Sequence, residues 1–215
     1  MIKYIIFDLD GTLYESPEVY QKFAEAAYHT YAQVKQVPEE TARRRLEERR
    51  EELKRQKGFA VPYTLALISY GIDIETWHRM NAEFFNPADF LKPDEALRSS
   101  LLELKKKLRL AVLTNNNDVQ TRRILEAIGL TGIFDHVFTF NSFHLLKPDP
   151  AILKNVLAVM KARSEECLMV GDRYEVDLIP ARNLGMQTSE VKGPAGVVEI
   201  GRRFESSLYP DIKNQ

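Results

Sequence analysis

The chain has 215 residues, of which 30 are basic and 31 are acidic, so its formal net charge is -1. This balance gives no overall field that would attract nucleic acid or an anionic membrane. One cysteine excludes an intramolecular disulfide, and no apolar stretch approaches the roughly 18 residues of a membrane-spanning helix. With no signal-like segment, these features predict a soluble protein of a reducing cytoplasm, with no nucleic-acid or membrane partner.

The first predicted element is a buried parallel strand at Tyr4–Phe7, because this run is short, continuously apolar and rich in β-branched and aromatic residues. Asp8 and Asp10 follow directly, with Gly11 and Thr12 behind them. Two like charges in one turn cost stability unless a cation compensates them. The segment therefore indicates a functional acid pair, although an ordinary Asp-Gly turn would explain it when taken alone.

A long insert separates this strand from the next apolar strand, and its hydrophobic pattern is helical throughout. Ser16-Pro17 has the residues of a helix start, with a hydroxyl cap followed by proline at the first position. Three more helices are predicted, and Asn86-Pro87 ends the pattern. We therefore predict a four-helix cap over residues 16–87, and a catalytic core formed by residues 1–15 and 88–215.

The second helix of this insert is rich in Arg and Lys between Arg43 and Lys57, which raises the possibility of nucleic-acid binding. Four glutamates interleave with these residues at helical spacing: Glu47, Glu48, Glu51 and Glu52. Such a pattern favours a solvated helix face with side-chain ion pairs.

The second predicted strand, Leu110–Leu113, is followed by Thr114 and the amides Asn115 to Asn117. A helix then begins at Asp118. A hydroxyl and free backbone N–H groups at the start of a helix suit a phosphate oxygen. Simple helix capping is the alternative for this segment alone.

The third predicted strand, His136–Phe140, precedes Lys147-Pro148-Asp149-Pro150 and a helix from Ile152 to Met160. Lys147 could direct its ammonium to the same edge of the sheet, whereas an isolated lysine is usually solvated. The same tripeptide also occurs at Lys92-Pro93-Asp94, but it lies before the second strand, so Lys92 is interpreted as a linker residue.

The fourth strand begins at Cys167 and ends in Gly171-Asp172, and Asp177 follows five residues later. Paired acids at the junction of a strand and a helix suit Mg²⁺, which prefers oxygen ligands. As helix caps they would also be unremarkable. Cys167 is predicted to be a small buried apolar residue and not a catalytic thiol.

Taken together, four strands each end in a loop that carries one chemically useful group. In an open α/β sheet, ligands bind outside the carboxyl ends of the strands. We therefore predict an α/β fold, with a Rossmann-like open parallel sheet, a four-helix cap inserted after the first strand, and a functional site at that edge.

The order of these four motifs resembles that of the haloacid dehalogenase-like hydrolases. The resemblance implies a phosphatase with a helical cap. The segments Leu13-Tyr14 and Phe90–Asp94 are similar to the pyrimidine 5′-nucleotidase-like branch, and a phosphoglycolate phosphatase-like enzyme stays open.

The same resemblance implies a role for each motif. Asp8 is expected to attack phosphorus and form an aspartyl-phosphate, and Asp10 to act as general acid and then as general base. Thr114, the amide of Asn115 and Lys147 are expected to hold the phosphoryl oxygens. The implied cofactor is Mg²⁺, held by Asp8, the backbone carbonyl of Asp10 and Asp172, with Asp177 supporting through water.

The expected substrate is a small phosphate ester, such as a nucleoside 5′-monophosphate, phosphoglycolate or another sugar phosphate. Tyr14, next to the catalytic turn, is the candidate for contacting its leaving part, and Trp77 is expected in the core of the cap. The presence of Asp10 disfavours a dehalogenase, whose chemistry does not need this second acid. The same residue fits a sugar phosphomutase equally well. A phospho-acceptor or binding module without turnover is the alternative from another class. The sequence leaves the oligomeric state open.

Overall fold

The computed structural model describes residues 1–206 of the chain. In this part of the chain, five parallel strands form one open sheet: β1 (Tyr4–Phe7), β2 (Arg109–Leu113), β3 (His136–Phe138), β4 (Cys167–Gly171) and β5 (Gln187–Glu190). Their order is β3-β2-β1-β4-β5. Since the strand order reverses beside β1, the loops that follow β1 and β4 form the crevice in which such sheets bind ligands.

The register of the central strands determines which loops become neighbours. Phe7 at the end of β1 pairs with Val112 of β2 and Val170 of β4, and all three side chains are fully buried. Continuous apolar strands of this kind are typical of a parallel sheet that is covered on both faces. The next residue after β1, Asp8, therefore leaves the sheet between the ends of its two neighbours.

The chain divides into two compact units, one formed by Met1–Glu15 and the chain from Leu91 onward, and the other by Ser16–Phe90. The second unit contains four α-helices: α1 (Pro17–Lys35), α2 (Glu39–Lys57), α3 (Tyr63–Ser69) and α4 (Ile74–Phe84). A short 3₁₀ turn, Pro87–Asp89, follows them. We refer to residues 16–90 as the helical unit.

The first helix of this unit begins where its sequence predicts. Ser16 caps α1 by accepting a hydrogen bond from the backbone N–H of Val19 at 3.2 Å, and Pro17 occupies the first position. The helix ends at Gln36, whose φ of 52° is left-handed. Trp77 is buried in the core of the unit, as predicted, and its indole N–H donates to Thr64 at 3.0 Å.

The basic face of α2 carries the side-chain pairs that its sequence predicts. Arg49 contacts Glu52 at 2.6 Å, and Arg50 contacts Glu47 at 3.1 Å, each three residues apart on the helix. These charges therefore have acidic partners along the same helix.

Up to residue 206, the sheet unit contains six further α-helices: α5 (Glu95–Lys105), α6 (Asp118–Ala127), α7 (Phe140–Phe143), α8 (Pro150–Met160), α9 (Ile179–Asn183) and α10 (Gly193–Glu205). A π-helical turn, Tyr174–Leu178, precedes α9. The core on one side of the sheet includes Ile6, Leu113, Val156 and Met169. The predicted fold class, an open parallel sheet with four helices inserted after the first strand, is confirmed.

Two elements differ from the sequence analysis. The third strand ends at Phe138, and not at Phe140, because Thr139 caps α7 by accepting from the N–H of Asn141 at 3.1 Å. The fifth strand, Gln187–Glu190, was not predicted, since its sequence is polar and it lies at the edge of the sheet. Among residues 1–206, no helix combines the length and apolarity needed to cross a membrane.

Candidate active site

The sheet brings the four predicted motifs together at one edge. Asp8 follows β1, Thr114 follows β2 and Asp172 follows β4, while Lys147 lies in the loop between α7 and α8. Parallel strands have their carboxyl ends at the same edge, so residues far apart in sequence meet there. Asp8, Thr114 and Lys147 are all buried.

Lys147 joins two of the predicted acids. Its ammonium lies 2.5 Å from Oδ1 of Asp8 and 2.7 Å from Oδ1 of Asp177, and all three side chains are almost fully buried. Burial by itself lowers the pKa of Lys147, but the charges of Asp177 and Asp8 outweigh this effect and raise the pKa. Lys147 is therefore a permanent cation inside the site.

The side chain of Asn115 fixes the backbone of Lys147. Its Oδ1 accepts from the N–H of Lys147 at 2.7 Å, and its Nδ2 donates to the carbonyl of Lys147 at 3.1 Å. The peptide bond between Lys147 and Pro148 is cis. Both polar atoms of the Asn115 side chain are therefore bonded to the backbone of Lys147. The backbone amide of Asn115 is left as the group for the predicted phosphate contact.

Asp8 and Asp10 have different hydrogen-bonding environments. Asp8 has one oxygen bound by Lys147, and its buried Oδ2 has no hydrogen-bond partner among residues 1–206. Asp10 accepts from donors at both oxygens, with the hydroxyl of Tyr14 at Oδ1 and the side-chain amide of Asn116 at 2.9 Å from Oδ2. Thr114 adds a longer contact of 3.4 Å to Oδ2. Of these two carboxylates, Asp8 is the one that has an oxygen without a hydrogen-bond partner within residues 1–206.

Asp8, Asp172 and Asp177 can each offer an oxygen to one ion, since these atoms lie within 4.8 Å of one another. Buried oxygens of Asp8 and Asp172 have no hydrogen-bond partner in the described chain. Burial, together with the charge of Asp8, raises the pKa of Asp172 to about 7. Three hard oxygen donors that share only one close ammonium among residues 1–206, that of Lys147, fit the preferences of Mg²⁺.

Two glycines allow this close packing of acids. Gly11 has a φ of +80°, and a Cβ at this position would lie 2.7 Å from Cγ of Asp172. A Cβ on Gly171 would lie 2.6 Å from Cβ of Asp177. Since real side chains do not approach so closely, both positions require glycine if the acids are to stay in place.

Asp177 is already held by the protein. Its Oδ1 accepts from Lys147, and its Oδ2 accepts from the backbone N–H of Arg173 at 3.1 Å. Burial and the charge of Asp8 raise the pKa of Asp177, although Lys147 and Arg173 act in the opposite direction. With both oxygens engaged, Asp177 suits the supporting position that the sequence analysis gave it.

The sequence analysis missed two residues at this site, Asn116 and Arg173. The Arg173 guanidinium lies 3.9 Å from Asp172, and its side chain is about one-third exposed. Burial would lower the pKa of Arg173, but four surrounding carboxylates raise it, those of Asp8, Asp177, Asp172 and Asp10. Its place directly after Gly171-Asp172 was the available signal, and Asn116 likewise directly follows Thr114-Asn115.

Two residues that the sequence analysis set aside lie outside the site. Lys92, in the second Lys-Pro-Asp tripeptide, is exposed. Cys167 is buried in β4, where burial raises the pKa of its thiol to about 12, so it stays protonated and is not a nucleophile.

Comparison with known proteins agrees with this geometry. The model of the haloacid dehalogenase-like hydrolase family matches residues 5–191, and the chain belongs to this family. A glyceraldehyde 3-phosphate phosphatase of Methanocaldococcus jannaschii is 31% identical over 208 residues, which cover 89% of this chain and 85% of that protein. Its counterpart from Pyrococcus furiosus is 28% identical over 194 residues, covering 87% and 79%.

Among solved structures, a 2-haloacid dehalogenase from Pseudomonas syringae pv. Tomato DC3000 superimposes with a TM-score of 0.59. The match covers 96% of this chain and 100% of that chain at 21% sequence identity, and it shows the shared fold alone. Both of the relatives described above, which match more than four-fifths of this chain, are named phosphatases. The predicted family and the predicted class of enzyme, a phosphatase, are therefore confirmed.

Proposed function

We propose that the protein is a Mg²⁺-dependent phosphomonoester hydrolase in which Asp8 forms an aspartyl-phosphate. The observation that carries this proposal is the contrast between two neighbouring carboxylates. Asp8 keeps Oδ2 uncommitted within the described chain while Lys147 fixes its other oxygen, whereas Asp10 accepts hydrogen bonds at both oxygens. A nucleophile needs an available lone pair, so these environments favour Asp8 for attack and Asp10 for proton transfer.

The reaction follows from these positions. Asp8 Oδ2 attacks phosphorus, the ester bond breaks, and the proton of Asp10 passes to the leaving oxygen. In the second step, Asp10 takes a proton from water as the water oxygen attacks phosphorus and frees Asp8. Lys147, Thr114 and the backbone N–H of Asn115 hold the phosphoryl oxygens. Transfer of this group depends mainly on positioning and on charge neutralisation.

The residues that would hold Mg²⁺ are Asp8, Asp172 and the backbone carbonyl of Asp10, with Asp177 supporting through water. When bound, the ion neutralises negative charge on the phosphoryl oxygens and on the carboxylates. Lys147 contacts both Asp8 and Asp177 and so links the two carboxylates, and Gly11 leaves room for Asp172.

The proposed substrate is a small phosphorylated metabolite. Two phosphatases that each match more than four-fifths of this chain carry the name of a three-carbon sugar phosphate, glyceraldehyde 3-phosphate, which makes such esters the first substrates to assay. Nucleoside 5′-monophosphates and phosphoglycolate are the other candidates. Core residues contact only the phosphoryl group that all these esters share, so discrimination must come from other groups. We propose that the helical unit acts as a cap and supplies them.

The test is continuous release of phosphate from p-nitrophenyl phosphate in Mg²⁺ buffer. Asp8→Asn should lower kcat by about a thousandfold or more, because an amide is a poor nucleophile. Asp89→Asn, which changes an exposed acid outside the site, is the matched control. Near-normal activity of Asp8→Asn would overturn the assignment of the nucleophile.

The same assay separates the competing functions. A single stoichiometric phosphorylation without turnover would indicate a phospho-acceptor module. Return of the phosphoryl group to a second hydroxyl of a sugar phosphate would indicate a phosphomutase. A panel of sugar phosphates and nucleotides, ranked by kcat/KM, then identifies the substrate class. Substitutions in the helical unit should reorder this ranking and leave p-nitrophenyl phosphate much less affected.

A further inference from the structure

Besides the longer contact from Thr114, the carboxylate of Asp10 accepts hydrogen bonds from two side chains that reach it from different loops. Tyr14, four residues further along the chain, donates its hydroxyl to Oδ1. Asn116, which follows β2, directs its amide Nδ2 to both oxygens, at 2.9 Å from Oδ2 and 3.2 Å from Oδ1. Asp10 itself is only partly buried, so water could solvate a freely rotating carboxylate, yet the protein supplies its own donors.

Each of these two residues is in turn fixed by its own backbone. The carbonyl of Tyr14 accepts from the N–H of Gly11 at 3.0 Å, which closes the turn after β1, and its ring is only 3% exposed. The N–H of Asn116 donates to the hydroxyl of Thr114 at 3.1 Å, and its carbonyl accepts from the N–H of Phe140 at 2.9 Å. Neither side chain therefore depends on a ligand to reach Asp10.

We infer that Tyr14 and Asn116 are positioning residues that hold Asp10 in the orientation required for proton transfer. The inference rests on the proposed function, in which the Asp10 proton passes to the ester oxygen as the bond from Asp8 Oδ2 to phosphorus forms. Proton transfer requires heavy atoms about 2.6–3.2 Å apart, which a carboxylate with two free torsions meets only part of the time. Two donors from separate loops remove that freedom.

The two residues are not equivalent. The amide Nδ2 of Asn116 can only donate, whereas a tyrosine hydroxyl can donate or accept. Tyr14 can therefore stay bonded to Oδ1 whether Asp10 carries a proton or not, by turning its own O–H. This assigns the hydroxyl of Tyr14 to Asp10, in contrast to the direct contact with the leaving part of the substrate that the sequence analysis expected.

The experiment compares two aryl esters that differ only in a para-nitro group, phenyl phosphate and p-nitrophenyl phosphate. The nitrophenolate departs readily without a proton, whereas phenolate departs less readily and gains more from one. Tyr14→Phe keeps the ring and removes only the hydroxyl. It should lower kcat/KM for phenyl phosphate about tenfold, and that for p-nitrophenyl phosphate less than about threefold. Asn116→Ala should show the same selectivity. Tyr174→Phe, which removes an exposed hydroxyl bonded to Arg182, should change neither value.

The decisive measurement is a double-mutant cycle with Asp10→Asn. If both residues act through Asp10, Tyr14→Phe and Asn116→Ala should have no further effect on kcat/KM once the carboxylate is gone. Additive losses in the Asp10→Asn background, or equal losses for the two esters, would overturn the inference while leaving the proposed function intact. If Asn116→Ala fails to fold, Tyr14→Phe decides alone. Failure of the wild-type protein to hydrolyse either ester would remove the proposed function and the inference together.

Discussion

Replacing Lys147 by Met tests the charge balance at the centre of the site. The substitution keeps a long unbranched side chain and removes the ammonium that lies 2.5 Å from Asp8 and 2.7 Å from Asp177. Removing one partner of a buried ion pair costs about 3–5 kcal/mol, because it leaves a buried charge uncompensated. Lys147 has two such partners, so we expect the upper part of this range in the absence of Mg²⁺.

Urea unfolding measures this loss. With a denaturant slope of about 1–3 kcal/mol per molar for urea, the unfolding midpoint should fall by at least about 1 M. Circular dichroism is the appropriate signal, since the single tryptophan, Trp77, lies in the helical unit and reports on that unit. Activity should fall by about a hundredfold or more, because the charge that we propose stabilises the phosphoryl oxygens is lost.

The chain supplies its own matched control. Lys92→Met changes the exposed lysine of the other Lys-Pro-Asp tripeptide, and we expect a change in stability within about 0.5 kcal/mol. If Lys147→Met unfolds at the same urea concentration as Lys92→Met, the buried ion pairs of Lys147 do not stabilise the fold.

The stability loss in Lys147→Met should depend on pH. Burial and Asp8 already raise the pKa of Asp177 in the folded protein, and losing Lys147 removes a charge that opposes this rise. A carboxyl group with a raised pKa stabilises the fold below its unfolded value of about 4, and this contribution is lost as the pH rises through the folded pKa. The variant should therefore be closest to wild type in acid and furthest from it at alkaline pH.

Three further outcomes are expected. The half-saturating Mg²⁺ concentration should rise as the pH falls below about 7, because protons compete with the ion for Asp172, whose pKa is raised to about 7. Calorimetric titrations with Mg²⁺ at several pH values check this. An affinity for Mg²⁺ that does not change with pH would contradict it. In urea unfolding, Gly11→Ala should destabilise the protein more than Gly58→Ala. Both glycines have a φ of +80°, but of the two only Gly11 would place the new Cβ against Asp172. Equal losses of stability in the two variants would show that backbone strain alone matters. By the same measurement, Asn115→Ala should cost about 1–3 kcal/mol of stability, because two hydrogen bonds to the Lys147 backbone are lost. An unchanged unfolding midpoint would show that these two hydrogen bonds do not stabilise the protein.

The sequence alone determined the elements whose signals are local. Tyr4–Phe7 is continuously apolar and short, and forms the central strand β1. Ser16-Pro17 starts α1 because a hydroxyl cap and a fixed φ act within one turn. β5 was missed because Gln187–Glu190 carries no apolar pattern, and only pairing with β4 makes it a strand. The motifs also predicted that Asp8, Thr114, Lys147 and Asp172 meet at one edge of the sheet, since each follows a predicted strand.

Only the tertiary structure decided the partners within the site. Lys147 contacts Asp8 across 139 residues of sequence and Asp177 across 30, and no local pattern encodes which acids a lysine will reach. The hydroxyl of Tyr14 bonds to Asp10, a contact that the position of Tyr14 in the sequence did not indicate, and its contact with the substrate stays a prediction. Asn116 and Arg173 gain their environments only when the ends of β1, β2 and β4 meet. The physical reason is that propensity and capping act over a few residues, whereas the order and register of the strands determine which distant side chains share a buried space.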